Sequence, residues 1–234
     1  MLIFTTGIFS IIIQIITGII DAWGLTLSLP SQHQIFQDIL WVEFSVQIVE
    51  LIFYIWLVAK IKSFTGNVTL YRYFDWIITT PTMLITLMAF LNHNQDIKKL
   101  TTNKSFSLWD FLKEHKSNVI SVVFLNTLML VIGFIGELNL IPAAASALIG
   151  FIPFALYFKI IYDNYVAGYH GDQFSKYKFI FWYFVFFWAL YGIAAFLPYT
   201  PKNVGYNFLD IFAKNILGVI LVFISWKYHR GDWK

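Results

Sequence analysis

The sequence predicts an all-α membrane protein, a bundle of seven membrane-spanning helices. Two observations carry this reading. The 234 residues are 59% hydrophobic and 12% charged, with a mean hydropathy of +0.68, whereas about a quarter of a soluble domain is charged. Apolar windows long enough to cross a bilayer as a helix fall at about 2–22, 37–59, 71–91, 118–138, 141–162, 178–198 and 206–228. They make one domain over residues 1–234. The lack of cysteine excludes a disulfide framework and a thiolate metal site. His93, His115, His170 and His229 are expected in loops or at the C-terminal end and form no metal constellation. A net charge of +3 without a basic patch gives no footprint for nucleic acid.

The first window lacks a basic leader and an Ala-x-Ala site, so it reads as a retained helix. Orientation follows from the Lys/Arg count in the connections. With the N-terminus outside, the cytoplasmic side carries Lys98, Lys99, Lys104, Lys113, Lys116, Lys159, Lys176, Lys178, Lys227, Arg230 and Lys234. The outer side carries Lys60, Lys62 and Lys202. An N-outside, C-cytoplasmic arrangement is therefore expected.

In the first helix Thr6, Ser10, Gln14, Thr17 and Asp21 recur at helical spacing and form one polar stripe. Such a stripe must face protein or water and not lipid. Hydroxyls alone would serve as packing glue between helices; Gln14 near mid-membrane points to an internal path. The second helix repeats the pattern with Glu43, Gln47, Glu50 and Tyr54. Its two carboxyls share a face about 10 Å apart along the axis. Both are costly in a bilayer unless hydrated, paired or protonated.

The third helix places Arg72, Asp75, Thr79, Thr82 and Thr86 on one face. Pro81 frees a backbone carbonyl there, and neighbouring threonine hydroxyls can compensate. The connection after it is long, and a short amphipathic surface helix is expected within 105–116, with Leu108, Phe111 and Leu112 on its apolar side. The fourth helix holds Asn126, Met129 and Gly133, and the fifth is apolar. The sixth is dense in aromatics, including Trp182, Trp188 and Tyr191, which suit either core packing or a sleeve for a flat apolar ligand.

The seventh helix carries Asp210 and Lys214 one turn apart on a single face. An ammonium at membrane depth is expensive, so an intramembrane lysine marks a functional site by default. A desolvated lysine is also the side chain that condenses with carbonyl compounds.

Arg72-Tyr-x-Asp75-Trp76-x-x-Thr79-Thr80-Pro81, together with Asp210-x-x-x-Lys214, resembles the microbial (type 1) rhodopsins over all seven helices. The resemblance implies all-trans retinal, bound to Lys214 as a protonated Schiff base with Asp75 and Asp210 as counterions and Arg72 on their outer side. Trp76 and Trp188 resemble the rings that sandwich the polyene, and Tyr191 lines it. Thr80 and Asn126 resemble the pair joining the third and fourth helices near the ring end, with Met129 and Gly133 close by. Two departures stand out. Gly192 replaces the usual proline after Tyr191, and Phe151 stands where a pocket tryptophan is usual.

Thr86 occupies the position where proton pumps of this family carry a carboxylate. Asn215 follows the lysine directly, and Glu50 is expected at its depth. With Ser10 or Gln14 from the first helix, this resembles the central gate of channelrhodopsins, with Glu43 as an inner-gate carboxylate. The pattern is most like the channel-forming viral rhodopsins. The four polar rows, including Gln47 and Thr79, then read as a cation path. The expected function is a light-gated cation channel and not an enzyme, with protons, sodium and calcium all open as the ion. An outward proton pump is the alternative, and a sensory rhodopsin a weaker one. The expected setting is a multi-pass position in the lipid bilayer of the host plasma membrane, with room for a homo-oligomer.

Overall fold

The computed structural model describes residues 1–96, 106–168 and 173–231, and their side chains except those of 94–96 and 173–176. Lys98, Lys99, Lys104, Lys234 and His170, used in the readings above, lie outside the described residues, as does the side chain of Lys176. The elements are α1 (Leu2–Gly24), a 3-10 turn (Ser31–His33), α2 (Gln34–Lys60), α3 (Thr69–Asp96), α4 (Leu108–Glu114), α5 (Lys116–Glu137), α6 (Ala143–Tyr165), α7 (Gln173–Ala194), α8 (Tyr199–Asp210), a π-helical stretch (Ile211–Ile216) and α9 (Leu217–Arg230). Among the described residues seven spans are long and apolar enough to cross a membrane, the last being Tyr199–Arg230, which joins α8, the π stretch and α9.

The spans form a ring. Helix α1 packs against α2 on one side and against α8 and α9 on the other; α3 lies between α2 and α5; α5 pairs with α6; and α7 closes the ring against α6 and α8. Large apolar side chains such as Ile12, Ile19, Ile52, Phe74 and Phe124 point outward, while the polar stripes of α1, α2, α3 and α8–α9 are buried. This inversion is what a lipid-facing bundle requires, because unpaired polar groups cannot face hydrocarbon.

Helix α3 runs through Pro81 without a break. Pro81 frees the carbonyl of Ile77, and the hydroxyls of Thr79 and Thr80 donate to the two carbonyls just before it, Asp75 O and Trp76 O, at 3.0 and 2.8 Å. Thr82, expected on the polar face, instead donates to Ile78 O of its own helix and is half-buried. Helix α4 begins with a capping box, in which Ser107 Oγ accepts from Asp110 N and Asp110 Oδ2 accepts from Ser107 N. Its apolar side, centred on the fully buried Phe111, faces the bundle. Asp38 Oδ2 of α2 accepts from Leu108 N at 2.8 Å and ties the short helix down.

Three expectations change here. The last span starts at Tyr199 and not near 206. Its opening turns, with Pro201, Lys202 and Asn203, are too polar to read as a spanning helix, although proline suits a first helical turn. Lys202, counted as a loop charge, therefore lies in α8 and is nearly buried, with Nζ 2.6 Å from Glu137 Oε1. His93, expected in a loop, is buried in the last turns of α3, with Nε2 3.2 Å from His33 Nδ1.

Glu137 also accepts from Asn67 Nδ2 at 3.0 Å, so one carboxylate links the α2–α3 connection, α5 and α8. Removing one partner of a nearly buried ion pair costs about 3 kcal/mol. Glu137→Ala is therefore expected to lower the thermal unfolding temperature of the detergent-solubilised protein by several degrees, and Glu137→Gln by less. Unchanged melting of Glu137→Ala would show that the clamp contributes nothing.

Candidate functional site

Lys214 sits in the middle of the π-helical stretch, with its side chain 3% exposed. One-turn π insertions interrupt the regular hydrogen-bond ladder and gather at functional sites. Neither composition nor spacing signalled this one. Lys214 Nζ lies 2.5 Å from Asp75 Oδ2 of α3 and 3.7 Å from Asp210 Oδ1 of α8. The four-residue spacing of Asp210 and Lys214 thus still brings the pair together across the start of the π stretch.

The two aspartates are held differently. Asp210 accepts from Tyr54 OH at 2.6 Å, from Tyr191 OH at 2.7 Å and from Arg72 Nη1 at 3.3 Å. Asp75 has the Lys214 amine alone on Oδ2, and its Oδ1 has no hydrogen-bond partner among the described residues. Asp75 thus keeps an acceptor site open for a proton on Oδ1, whereas three of the roughly four acceptor sites of Asp210 are taken by donors.

Arg72 is fully buried and spends its donors on α8. Nε donates to Asn203 Oδ1 at 3.1 Å, Nη2 to Asn203 O at 3.2 Å and Nη2 to Asn207 Oδ1 at 2.5 Å. Asn203 and Asn207 were not picked out as site residues. Their signal was nevertheless present, because 203, 207, 210 and 214 repeat at four, three and four, the spacing that marked the other stripes. Tyr54 stood in the second-helix stripe without a role, and the structure makes it a partner of both Asp210 and Arg72.

An apolar cavity of ≈ 120 Å³ ends at Lys214. Trp76, Thr80, Met129, Gly133, Trp188 and Tyr191, all expected here, line it together with Phe154, Tyr157 and Tyr206. Asn126 Nδ2 donates to Thr80 Oγ1 at 2.8 Å, which joins α5 to α3 beside the cavity. The two departures from the usual pattern, Phe151 and Gly192, are in contact. A Cβ placed on Gly192 would lie 2.5 Å from Phe151 Cζ. The ring at 151 occupies the space that a side chain at 192 would need.

The expected gate residues divide. Glu50 and Asn215 are fully buried and bonded, Asn215 Nδ2 donating to Glu50 Oε2 at 3.2 Å. Ser10 does not complete that pair: its hydroxyl donates to Asn207 O at 2.9 Å, on the Arg72 side of the lysine. Asn207 precedes Asn215 by eight residues, so the α1 stripe meets the last span about two helical turns from the expected place. Gln14 is buried with neither amide atom bonded among the described residues. Thr79 bonds its own helix. Gln47 donates to Asp21 Oδ2 and accepts from Thr17 Oγ1, so it belongs to a cluster nearer the Arg230 end.

Glu43 is buried and accepts from Thr86 Oγ1 at 2.6 Å. Around that pair stand Leu87, Phe90, Ile180, Phe184, Leu217 and Leu221, enclosing a void of ≈ 10 Å³. A void of that size is at the lower limit for one water molecule. Among the described residues no group of three or more His, Asp or Glu is arranged to hold a metal ion.

A family model described as bacteriorhodopsin-like protein matches residues 2–228. The fold is similar to the crystal structure of viral rhodopsin OLPVRII, with 25% identity, complete coverage of both chains and a TM-score of 0.79. It is similar also to thermophilic rhodopsin, with 16% identity, 100% of this chain and 96% of that one covered, and a TM-score of 0.74. Xanthorhodopsin, described as a light-driven ion pump with dual chromophore, gives 17% identity, 99% and 95% coverage and a TM-score of 0.74. No curated protein matches the sequence significantly.

The contact between residues 151 and 192 generates a test. Gly192→Ala is expected to cost about 1–3 kcal/mol through overpacking, read as a lower unfolding temperature in detergent. Adding Phe151→Leu should recover most of the loss. Additive effects of the two changes would show that the pair is uncoupled.

Proposed function

The chain belongs to the bacteriorhodopsin-like family, and from that premise we propose that it is a retinal-binding, light-driven proton pump whose internal proton donor is Glu43. Retinal is the chromophore of the rhodopsin family, and the residues fit it. The cavity is apolar, flat aromatic rings of Trp76 and Trp188 line it, and it ends at a buried amine flanked by two carboxylates. All-trans retinal held covalently on Lys214 Nζ would supply light absorption and an isomerisation that redirects the nitrogen. In the structure the free amine stands in for that nitrogen.

The chain's own groups then define the proton's course. Asp75 Oδ2, 2.5 Å from Lys214 Nζ, receives the proton released there. Asp210, pinned by Tyr54, Tyr191 and Arg72, remains in place as the standing negative charge. A buried cationic nitrogen needs that charge nearby to stay ionised. Arg72, with Asn203 and Asn207, leads away from Asp75 toward the side proposed to be outer.

On the other side of Lys214 the proton must be replaced. Thr86 stands where pumps of this family carry a carboxylate, and its hydroxyl bonds Glu43. Helix α2 thus delivers a carboxyl to the place that α3 leaves without one. That contact is the observation that carries the pump reading. The apolar wall around Glu43 supports it, since a pump needs one sealed half while the other is open.

A light-gated cation channel is the second reading. The observation that favours it is the row of buried polar groups along α1, α2 and the π-helical stretch, namely Gln14, Asp21, Gln47, Glu50 and Asn215. In that reading the Glu50–Asn215 contact is the constriction that opens in light.

The retinal-loaded protein absorbs visible light and Lys214→Ala does not; a coloured Lys214→Ala would place the attachment elsewhere. In illuminated membranes under voltage clamp, the pump reading predicts photocurrents that keep one sign across all voltages. Glu43→Gln should cut the stationary current by about 10²-fold or more. Currents that reverse with the cation gradient would replace the pump by the channel, and a Glu43→Gln variant with full current would remove Glu43 as donor.

A further inference from the structure

We propose that Asp21 on α1 is the residue through which protons reach Glu43, so that the inner route follows the seam between α1, α2 and α9. The inference rests on the pump reading and adds the entry path that this reading leaves open.

Toward the centre of the bundle, Phe90, Phe184, Leu217 and Leu221 stand around the small void beside Glu43 and offer no polar group to carry a proton. The polar groups nearest along its own helix lead elsewhere. Gln47, one turn on, has its Oε1 3.2 Å from Thr17 Oγ1, so its amide is turned toward α1. There it donates to Asp21 Oδ2. Asp21 is 2% exposed, and its second oxygen, Oδ1, has no hydrogen-bond partner among the described residues. A buried carboxylate with one oxygen held and the other unpartnered is costly as a structural device. It suits a group that takes up and gives away a proton on the unpartnered side.

The third wall of this site is Gly218 on α9. A Cβ there would lie 2.9 Å from Asp21 Oδ2, 3.1 Å from Asp21 Oδ1 and 3.1 Å from Gln47 Nε2. The carboxylate reaches its position because α9 carries no side chain at that point. On α2, Glu43 lies four residues before Gln47 and Glu50 three residues after it on the same face, so both carboxyls flank the site. From α1 the site is met by Thr17, and from α9 by the glycine, neither of which titrates. Asp21 lies in the last turn of α1, nearer the Arg230 end of the bundle than Glu50 and Lys214.

The step is a plain proton transfer. The Asp21 carboxyl gives its proton to the Glu43 carboxylate and is left as a carboxylate, which takes the next proton from the aqueous phase at the Arg230 end. Gln47 is a positioning residue that holds the Asp21 carboxylate toward α2.

The test uses the retinal-loaded full-length protein and follows recovery after a flash as a function of pH. Asp21→Asn keeps the acceptor for Gln47 but cannot carry a proton. It should leave the absorption maximum in place, slow recovery by about tenfold or more, and change the dependence of recovery on pH. Asp21→Glu should restore part of the rate. Gly218→Ala, which crowds the carboxylate without removing it, should slow recovery in the same pH-dependent way and decides the matter if Asp21→Asn yields no pigment. Wild-type rates with an unchanged pH profile in these variants would overturn the proposal while leaving the pump intact. A wild-type protein that moves no protons would remove the pump reading and this route with it.

Discussion

The structure depends on one electrostatic constraint: a cationic nitrogen held at membrane depth. The Lys214 amine lies 2.5 Å from Asp75 and 3.7 Å from Asp210, and all three groups are buried. An unpaired charge there would cost several kcal/mol, a large share of a protein's net stability, and the anions that meet it come from two different helices. Arg72 adds a second buried cation, and α8 must then supply acceptors to saturate it. Tyr54 and Tyr191 reach in from α2 and α7 to finish the coordination of Asp210. Four spans are therefore fixed around one charge cluster, and the apolar cavity is the space that α3, α7 and the last span leave beside it with α5 and α6.

The same cluster divides the bundle into two unlike halves. Toward Arg72 the hydrogen bonds form a continuous net through Asn203, Asn207, Thr6 and Ser10. Toward Arg230 the polar groups come in separated pairs, with Glu50 on Asn215, Glu43 on Thr86 and Asp21 on Gln47. Apolar side chains stand around the Glu43–Thr86 pair. A net can pass protons by small rearrangements, whereas isolated pairs need a carrier to change state. That asymmetry is what directional transport needs, and it supports the proposed pump, whereas the polar stripes on four helices support the channel reading.

The fold was legible because a bilayer demands long apolar runs, and each of the seven windows overlaps a span. The amine and its two aspartates were legible as well, since Arg72, Asp75, Asp210 and Lys214 recur at helical spacing and charged groups are rare in the chain. What stayed hidden depends on a partner outside the helix that carries it. The start of the last span was masked by Lys202, whose charge is met by Glu137 on α5. The π stretch at Ile211–Ile216 is a backbone choice that leaves no mark on composition. Ser10 has the right stripe but the wrong height, because the sequence contains no mark that sets the register of α1 against α8. The contact of Thr86 with Glu43 joins two helices whose stripes could be read singly but not against each other.

The central claim is that the two aspartates differ: Asp75 takes the proton and Asp210 stays in place. Light-induced infrared difference spectra of the retinal-loaded protein test this most directly. The account predicts a carbonyl band of a newly protonated carboxyl that disappears in Asp75→Asn. A band that persists in Asp75→Asn and is lost in Asp210→Asn would contradict it.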